Sequence, residues 1–188
     1  MRVIGGKWKS RKINGQFKKS YNKFIRPTSD RVKENIFNIL ENLDIGNPIF
    51  GAKVLDVFCG TGSMGIEAIS RGAAFCHFID KSLISRQITL ENIHNLSCEK
   101  ETQFSLKNVL EIGVCNHEIA DIIFLDPPFK DKDIRTLLEI IKEKELLKKN
   151  GIILLHREKK HLDILPKNFK ILINKIYGRS KIIFGRFD

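Results

Sequence analysis

Residues 53–72 read KVLDVFCGTGSMGIEAISRG, and this stretch decides the fold class. Its apolar start predicts a buried strand over 53–58, and SMGIEAISRG predicts a helix that ends at Gly72. Between them lies the pattern Gly60-x-Gly62-x-x-Gly65. Glycines allow a sharp turn and a close approach of the backbone to a ligand, and the start of a helix presents N–H groups without partners. The stretch predicts a nucleotide-binding loop, with a tight turn that binds no ligand as the alternative.

Strands and helices alternate along the chain after this loop. Further strands are predicted at 74–80, 102–106, 121–126 and 151–156, with helices before 102–106 and before 151–156. After Pro166, FKILINKIY and SKIIFGRF are joined by a turn at Gly178 and Arg179, which predicts a hairpin. Fully apolar strands that alternate with helices are typical of a mainly parallel sheet covered on both faces. We therefore expect an α/β fold with seven strands, the last two forming an antiparallel hairpin.

The carboxyl ends of these strands are where a ligand is expected, because open α/β sheets bind ligands there, near the switch point of the strand order. Asp80 ends the second strand, and a carboxylate at that place can accept hydrogen bonds from ribose hydroxyls. Asp56 lies inside the first strand, near the loop. It disfavours a pyrophosphate and suits a cationic ligand, such as a sulfonium that also carries an ammonium group. The candidate cofactor-binding residues are Asp56, Phe58, Gly60, Gly62, Asp80, Lys81 and Asn108.

The fourth predicted strand ends in the sequence Asp126-Pro127-Pro128-Phe129. Proline has no N–H and holds the preceding residue in an extended conformation, so this strand end is stiff and offers acceptors without donors. Such an array suits an –NH2 group, and Phe129 offers a face on which a base can stack. Acceptors that hold the amine hydrogens localise the nitrogen lone pair for attack on an aligned methyl group, and Asp126 stabilises the developing positive charge. The target base must be unpaired or flipped. A simple Pro-Pro turn is the alternative.

The N-terminal segment is basic and contains no acidic residue before Asp30. The net charge of the 188-residue chain is +11. Aromatic residues are interleaved with the bases, which favours a polyanionic partner, most plausibly nucleic acid, over a solvated basic tail. Trp8 either stacks on RNA or packs on the core. We expect residues 1–45 to form an RNA-binding extension of hairpin and helix, and residues 46–188 the catalytic domain. The candidate RNA contacts in the segment are Arg2, Lys7, Trp8, Lys9, Arg11, Lys12 and Arg26.

Several classes of protein are disfavoured by the sequence. No apolar run approaches the roughly 20 residues that span a bilayer, and the N-terminus lacks the apolar region of a secretory signal. The four cysteines form no CxxC pair and the five histidines no visible metal set, so we expect buried thiols, a reducing cytoplasm and no metal. We expect a monomer.

Five segments together resemble the RsmD family of AdoMet-dependent methyltransferases (AdoMet, S-adenosylmethionine) across nearly the whole chain. DVFCGTGSMG looks like motif I of Rossmann-type methyltransferases, and DPPF looks like motif IV of the branch that methylates amines. The resemblance extends to MRVIGGKWKSRKI, RPTSDRVKENIFNIL and YGRSKIIFGRF, and the helix entry RPTSDRVKE is its specific part. The resemblance implies a Rossmann-like methyltransferase fold with a small N-terminal extension.

The resemblance also implies a reaction: methylation of N2 of a guanine in bacterial 16S rRNA, position 966 in the standard rRNA numbering, in the small ribosomal subunit or its assembly intermediate. It implies that Gly60 and Gly62 line the AdoMet loop, that Asp80 binds the ribose, and that the segment from Asp126 to Phe129 holds the target amine. The product is S-adenosylhomocysteine. Arg26, Thr28 and Arg31 would lie near the mouth of the cleft. Relatives often carry an acid where this chain has Asn108, which can still bond an adenine edge.

Three rival functions remain open at this point. An N6-adenine methyltransferase on DNA or RNA would share both motifs, although no separate target-recognition domain is visible. A non-catalytic RNA-binding assembly factor would keep the fold, but Gly60, Gly62, Asp80 and Asp126 are all in place. An NAD-dependent oxidoreductase would have no use for Asp56 or for the DPPF segment.

Overall fold

A mixed seven-stranded sheet forms the centre of the fold in the computed structural model, which describes residues 1–15, 29–43, 47–111, 119–128 and 133–188. The strands are β1 (Lys53–Val57), β2 (Phe75–Asp80), β3 (Thr102–Leu106), β4 (Ala120–Leu125), β5 (Leu147–Glu158), β6 (Phe169–Tyr177) and β7 (Ser180–Phe187). The helices among the described residues are α1 (Asp30–Glu41), α2 (Ser63–Ser70), α3 (Leu83–Leu96) and α4 (Ile134–Glu143), with short 3-10 helices at Gly6–Trp8, Glu99–Glu101 and Val109–Glu111.

The strand order is β3-β2-β1-β4-β5-β7-β6. The first five strands in this order pair in parallel, and β7 is antiparallel to both β5 and β6. This confirms the predicted α/β fold with a C-terminal antiparallel hairpin. The order reverses between β1 and β4, so the switch point lies where the glycine loop and the Asp126 segment leave adjacent strands.

The predicted strands agree with the observed ones except at some boundaries. The largest difference is in β5, which begins at Leu147 rather than at Gly151. The extra residues include the polar run Lys148–Asn150. They extend the strand because Leu147 pairs with Ala120, and a register shift separates this pair from the next one, between Ile122 and Ile152. At the other end of the chain, the N-terminal hairpin is held by one antiparallel bridge, between Arg2 and Lys12. The short 3-10 helix lies in the turn between these two residues.

Successive side chains along each strand point to opposite faces of the sheet, and each face carries its own hydrophobic layer. The odd-numbered residues of the central strands, such as Leu55, Ile123 and Leu155, face the layer that contains α4. The even-numbered residues, such as Val54, Phe124 and Leu154, face the layer that contains α1, α2 and part of the N-terminal segment. Five polar residues at or beside the strand ends also have even numbers and therefore lie on this second face: Asp56, Asp80, Asp126, His156 and Ser180.

Helix α1 lies on the same face as these polar residues. Ser29 caps it, with its hydroxyl accepting the N–H of Val32 at 3.3 Å. Phe37, at a buried position of the helix, meets Phe124 of β4 edge to face with ring centroids 5.8 Å apart. The buried apolar face of α1 therefore anchors the helix over the centre of the sheet.

Residues 1–15 are attached to the sheet layer through α2. Val3 and Ile13 are buried in the same hydrophobic cluster as the strands. The Glu67 side chain, which is fully buried, accepts the N–H of Ile4 at 2.8 Å and that of Gly5 at 2.7 Å. The division of the chain at residue 45 stays a prediction. Across the described ranges, no helix has the length and apolar character required to cross a membrane.

Candidate active site

The loop after β1 adopts left-handed backbone conformations in quick succession. Phe58, Gly60 and Gly62 have φ angles of 61°, 57° and 74°. This conformation is costly for a bulky residue such as Phe58, and strained backbone of this kind occurs most often at functional sites. Gly62 is the N-cap residue of α2, so the loop leads directly to the free N–H groups of that helix.

Gly65 has a different role from the other two glycines, because it allows close packing. A Cβ atom at this position would lie 2.4 Å from Sγ of Cys76 and 2.4 Å from the ring of Phe78. The third glycine of the pattern thus brings α2 against β2 and does not line the ligand side of the loop.

Asp80 holds the tip of the loop. Its Oδ2 accepts the N–H of Gly60 at 3.0 Å, and its Oδ1 accepts the N–H of Ser82 at 2.9 Å. Each carboxylate oxygen has a second lone pair, so the group can still accept hydrogen bonds from the hydroxyls of a ribose. The predicted ribose contact of Asp80 is compatible with this geometry and stays a prediction.

Two side chains of α3 fix the carbonyl groups of the loop. Thr89 donates its hydroxyl to the carbonyl oxygen of Gly60 at 3.1 Å. Asn92, which is buried, donates to the carbonyl oxygen of Thr61 at 3.0 Å and to that of Asn14 at 2.9 Å. Its Oδ1 accepts the N–H of Asn14 at 2.6 Å. Asn92 therefore joins the glycine loop to the N-terminal segment.

Asp56 lies beneath the loop and is 2% exposed. Its Oδ2 accepts the N–H of Gly65 at 2.9 Å. Burial raises its pKa to about 7, and the negative charges of Asp126 and Asp80 add to this effect against the opposing hydrogen bond from Gly65. Three carboxylates thus share one end of the sheet, and this excess of negative charge fits a sulfonium and ammonium ligand better than a phosphate. Direct contact between Asp56 and such a ligand stays a prediction.

Asp126 follows the last residue of β4, and its side chain is about one-third exposed. One carboxylate oxygen, Oδ1, lies 3.0 Å from Nδ1 of His156. Pro127 is buried and Pro128 is exposed, so the segment runs from the sheet towards the surface. Phe129, the predicted stacking residue, lies outside the described residues.

The predicted adenine side of the site is at the ends of β2 and β3. Asp80 pairs in register with Leu106, which places Asn108 two residues beyond the strand end. Its Oδ1 accepts the N–H of Leu110 at 3.2 Å, which directs the amide nitrogen away from the short helix that follows. Lys81 is exposed next to Asp80. Both roles in cofactor binding stay predictions.

The N-terminal cations predicted to contact RNA differ in their surroundings. Lys7 forms an ion pair with Glu101 at 2.6 Å and lies 4.3 Å from the ring centroid of Trp8. Trp8 is partly buried against the core, as the packing interpretation expects. Arg2 lies 3.4 Å from Asp30. Four others are exposed: Lys9, Arg11, Lys12 and Arg31.

A cavity of about 400 Å³ lies between this segment and α1. Three of its lining residues are cations (Arg2, Lys9 and Arg31) and two are acids (Asp30 and Glu34). The predicted contacts Arg26 and Thr28 lie outside the described residues. In the ranges that the structure describes, no group of three or more His, Cys, Asp and Glu side chains is arranged to hold a metal ion.

Comparison with known proteins identifies the family. The family model described as "Conserved hypothetical protein 95" matches residues 1–186. The "Ribosomal RNA small subunit methyltransferase D" of Buchnera aphidicola subsp. Acyrthosiphon pisum is 32% identical over 191 residues, 93% of this chain and 86% of that protein. The chain belongs to the RsmD family. The YlbH protein of Bacillus subtilis strain 168 is 35% identical over 162 residues, 85% of this chain and 83% of that protein.

Solved structures agree with this membership. The Escherichia coli protein yhhF superposes on the RsmD-family chain with a TM-score of 0.82 at 25% identity, covering 100% of this chain and 98% of that one. The likeness extends over the N-terminal segment as well as the sheet. The fold is thus the Rossmann-like fold of AdoMet-dependent methyltransferases.

Some residues that shape this RsmD-family site are not predicted by the sequence. Asn92 and Glu67 act on partners more than sixty residues away in the chain, and no local pattern marks them. His156 also has no predicted role, although it directly follows an apolar stretch of its strand, as Asp126 does. The shared position at the carboxyl ends of neighbouring parallel strands is the signal that could find it.

Proposed function

We propose that this RsmD-family protein transfers a methyl group from AdoMet to the exocyclic N2 amine of a guanine in the 16S rRNA of the small ribosomal subunit. Membership of the family supports methylation of ribosomal RNA as the reaction. The choice of guanine N2 and of 16S rRNA goes further, and it rests on the resemblance to the RsmD family over nearly the whole chain.

The observation that carries the proposal is the juxtaposition of the glycine loop and Asp126. Val57 of β1 pairs with Leu125 of β4, so the loop and the DPPF segment leave the sheet side by side. A cofactor cradled by the loop would present its reactive group towards Asp126. Proximity of this kind converts a reaction between two bound partners into an effectively intramolecular one.

When bound, AdoMet supplies a methyl group activated by a sulfonium, and the electrons of the breaking C–S bond return to sulfur. The chain's own residues prepare the other partner. Asp126 accepts a hydrogen of the target amine, and the two prolines after it contribute no N–H donor that would compete. The nitrogen lone pair forms the new N–C bond, and Asp126 stabilises the positive charge until one amine proton is released to solvent.

The target base has to leave its stack to reach Asp126, since the carboxylate lies at the end of a strand and beside a buried proline. The exposed cations of residues 2–12 and Arg31 provide a surface for the RNA phosphates around that base. The net charge of +11 favours such a polyanion.

The test is methyl transfer to a defined substrate. The protein is incubated with methyl-labelled AdoMet and small ribosomal subunits from cells that lack the endogenous activity, and the digested RNA is analysed for modified nucleosides. N2-methylguanosine at one site is the expected result. Methyladenosine would reassign the target base to adenine, and no transfer to any RNA or DNA by a protein that binds AdoMet would favour an assembly factor.

A further inference from the structure

Asp126 and His156 occupy neighbouring positions on adjacent strands. Leu125 of β4 pairs with Leu155 of β5, so the next residue on each strand lies on the same face of the sheet. Nδ1 of His156 is 3.0 Å from Oδ1 of Asp126. The imidazole is 8% exposed, whereas the carboxylate is 32% exposed, so the ring contacts the carboxylate from the interior side.

The other ring nitrogen of His156 is held as well. Nε2 lies 2.9 Å from the hydroxyl oxygen of Ser180, at the start of β7. A serine hydroxyl both donates and accepts, so it serves the charged and the neutral imidazole alike. In either state Nδ1 can carry a proton towards Asp126. The ring is therefore fixed in place by contacts on two sides, from β4 and from β7.

We propose that His156 is a positioning residue for Asp126, fixing the plane of the carboxylate that receives the target amine. This inference rests on the proposed function of the same site. A carboxylate at a strand end can rotate about its Cα–Cβ and Cβ–Cγ bonds, and a donor on one oxygen restricts both rotations. The lone pairs that remain then keep a fixed direction.

The electrostatics of the pair agree with this role. Burial lowers the pKa of His156, but the charge of Asp126 and the hydrogen bond to it outweigh burial, so that the pKa is raised. The nearby Arg157 acts in the opposite direction. The interaction between the ring and the Asp126 carboxylate is therefore attractive, as a positioning contact requires.

His77 offers a matched comparison within the same sheet. Its Nε2 lies 2.9 Å from the hydroxyl oxygen of Ser105, and the residue is buried on a strand. However, it lies on the odd-numbered face of β2, opposite to Asp56 and Asp126. A His–Ser contact between strands thus also occurs on the face of the sheet that carries neither Asp56 nor Asp126.

Two substitutions separate positioning from packing. In His156→Asn, the amide nitrogen takes the place of Nδ1, so a donor to Asp126 is kept. In His156→Gln, the longer side chain reaches the place of Nε2, so the hydrogen bond with Ser180 is kept and the donor to Asp126 is removed. Single-turnover methyl transfer to small subunits is measured for both, with His77→Gln as the matched control.

We expect His156→Gln to lower the rate of transfer about 10- to 100-fold, the range found when a partner that orients a functional ligand is removed. We expect His156→Asn to recover most of that loss and His77→Gln to match the wild type. AdoMet affinity should be the same in all four proteins. Equal rates for wild type and His156→Gln would overturn the inference. It would also be overturned if the Asn and Gln variants lost the same fraction of the transfer rate and this loss matched the decrease in their melting temperatures.

A second measurement does not depend on activity. The titration of the His156 ring is followed by NMR in the wild type and in Asp126→Asn, and the pKa should fall in the variant. An unchanged pKa would overturn the pairing. If the wild type proves inactive on every RNA, the proposed function fails, while this titration still decides whether His156 and Asp126 form the pair.

Discussion

Gly60 donates its backbone N–H to Oδ2 of Asp80 across 3.0 Å, which joins the tip of the glycine loop to the residue that ends β2. The second oxygen of the same carboxylate holds the N–H of Ser82 at the start of α3. One side chain thus fixes two backbone segments that border the expected ribose. Its loss should lower the affinity for the cofactor more than the rate of methyl transfer.

Asp80→Asn tests this arrangement. The amide can accept from only one of the two N–H groups, and its NH2 group would face the other donor. Since a hydrogen bond to a charged group contributes about 1.5–3 kcal/mol, AdoMet affinity should fall about 10- to 100-fold in calorimetry. Asp121→Asn is the control, because Asp121 accepts a backbone N–H from Lys53 at the opposite end of the sheet. Wild-type affinity in Asp80→Asn would contradict the assignment.

Asp126 is expected to act on the rate rather than on cofactor binding. Replacing it by alanine removes the charge that faces the amine, and the removal of one preorganised electrostatic contact typically costs about 100- to 1,000-fold in rate. Single-turnover transfer to small subunits should show this loss, with AdoMet affinity retained. The variant Asp121→Asn, at the other end of the same strand, should transfer at the wild-type rate. A fully active Asp126→Ala protein would remove Asp126 from the mechanism.

The pH dependence of AdoMet binding should report on Asp56. In the free site its pKa is about 7, so the carboxyl group is largely protonated below that pH. A cationic ligand favours the ionised carboxylate, and affinity should therefore rise with pH up to about 7, by at most about tenfold per pH unit. Asp56→Asn keeps an acceptor for the N–H of Gly65 but cannot ionise.

The Asn variant also corrects for titration of the ligand's own amino group, which is common to both proteins. Calorimetry over a series of pH values is the measurement. The slope should be shallower in Asp56→Asn than in the wild type. Identical slopes of affinity against pH in the two proteins would mean that the ionisation of Asp56 does not contribute to binding of the cationic ligand.

Glu67 should be essential for stability. It is fully buried and forms ion pairs with Lys33 at 3.3 Å and with Arg71 at 2.8 Å. Glu67→Gln removes the charge that faces the buried Lys33 and leaves Arg71 paired with Glu41, and breaking a buried pair in this way costs about 3–5 kcal/mol. Denaturant unfolding should show this loss, and amide exchange at Ile4 and Gly5 should accelerate. Glu143→Gln, on the exposed side of α4, should have little effect. Unaltered exchange at Ile4 would exclude Glu67 as the attachment point.

The exposed cations of the N-terminal segment should control the salt dependence of RNA binding. Lys9, Arg11 and Lys12 are replaced together by glutamine, which keeps the buried Val3 and Ile13 in place. For each of these cations that binds a phosphate, its replacement should reduce the slope of log K against log salt by about 0.7–0.9, while AdoMet affinity is retained. Replacing Lys149, Lys170 and Lys175, three exposed lysines of β5 and β6, is the control. A slope equal to that of the wild type would exclude the segment as a phosphate-binding surface.

Sequence patterns predicted the parts of the site that are local. Asp80 and Asp126 directly follow apolar runs, and the glycine loop lies between a strand and a helix, so a few neighbouring residues suffice to place each one. Glu67 and Asn92 could not be found in this way, since each satisfies backbone groups of a segment that only the tertiary fold brings near. The early start of β5 is likewise set by pairing with Ala120, and its polar residues carry no strand pattern of their own.

The attachment of residues 1–15 has a consequence for how members of this family can change. Glu67, Ser70, Asn92 and Lys33 all reach main-chain atoms of the segment: the N–H groups of Ile4, Gly5, Trp8 and Asn14 and the carbonyl oxygens of Arg2, Gly5 and Asn14. Main-chain atoms are the same for almost every amino acid. The outward side chains can therefore be exchanged during evolution without detaching the segment from the fold. If the segment binds RNA as proposed, its RNA contacts can change while the cofactor loop stays the same.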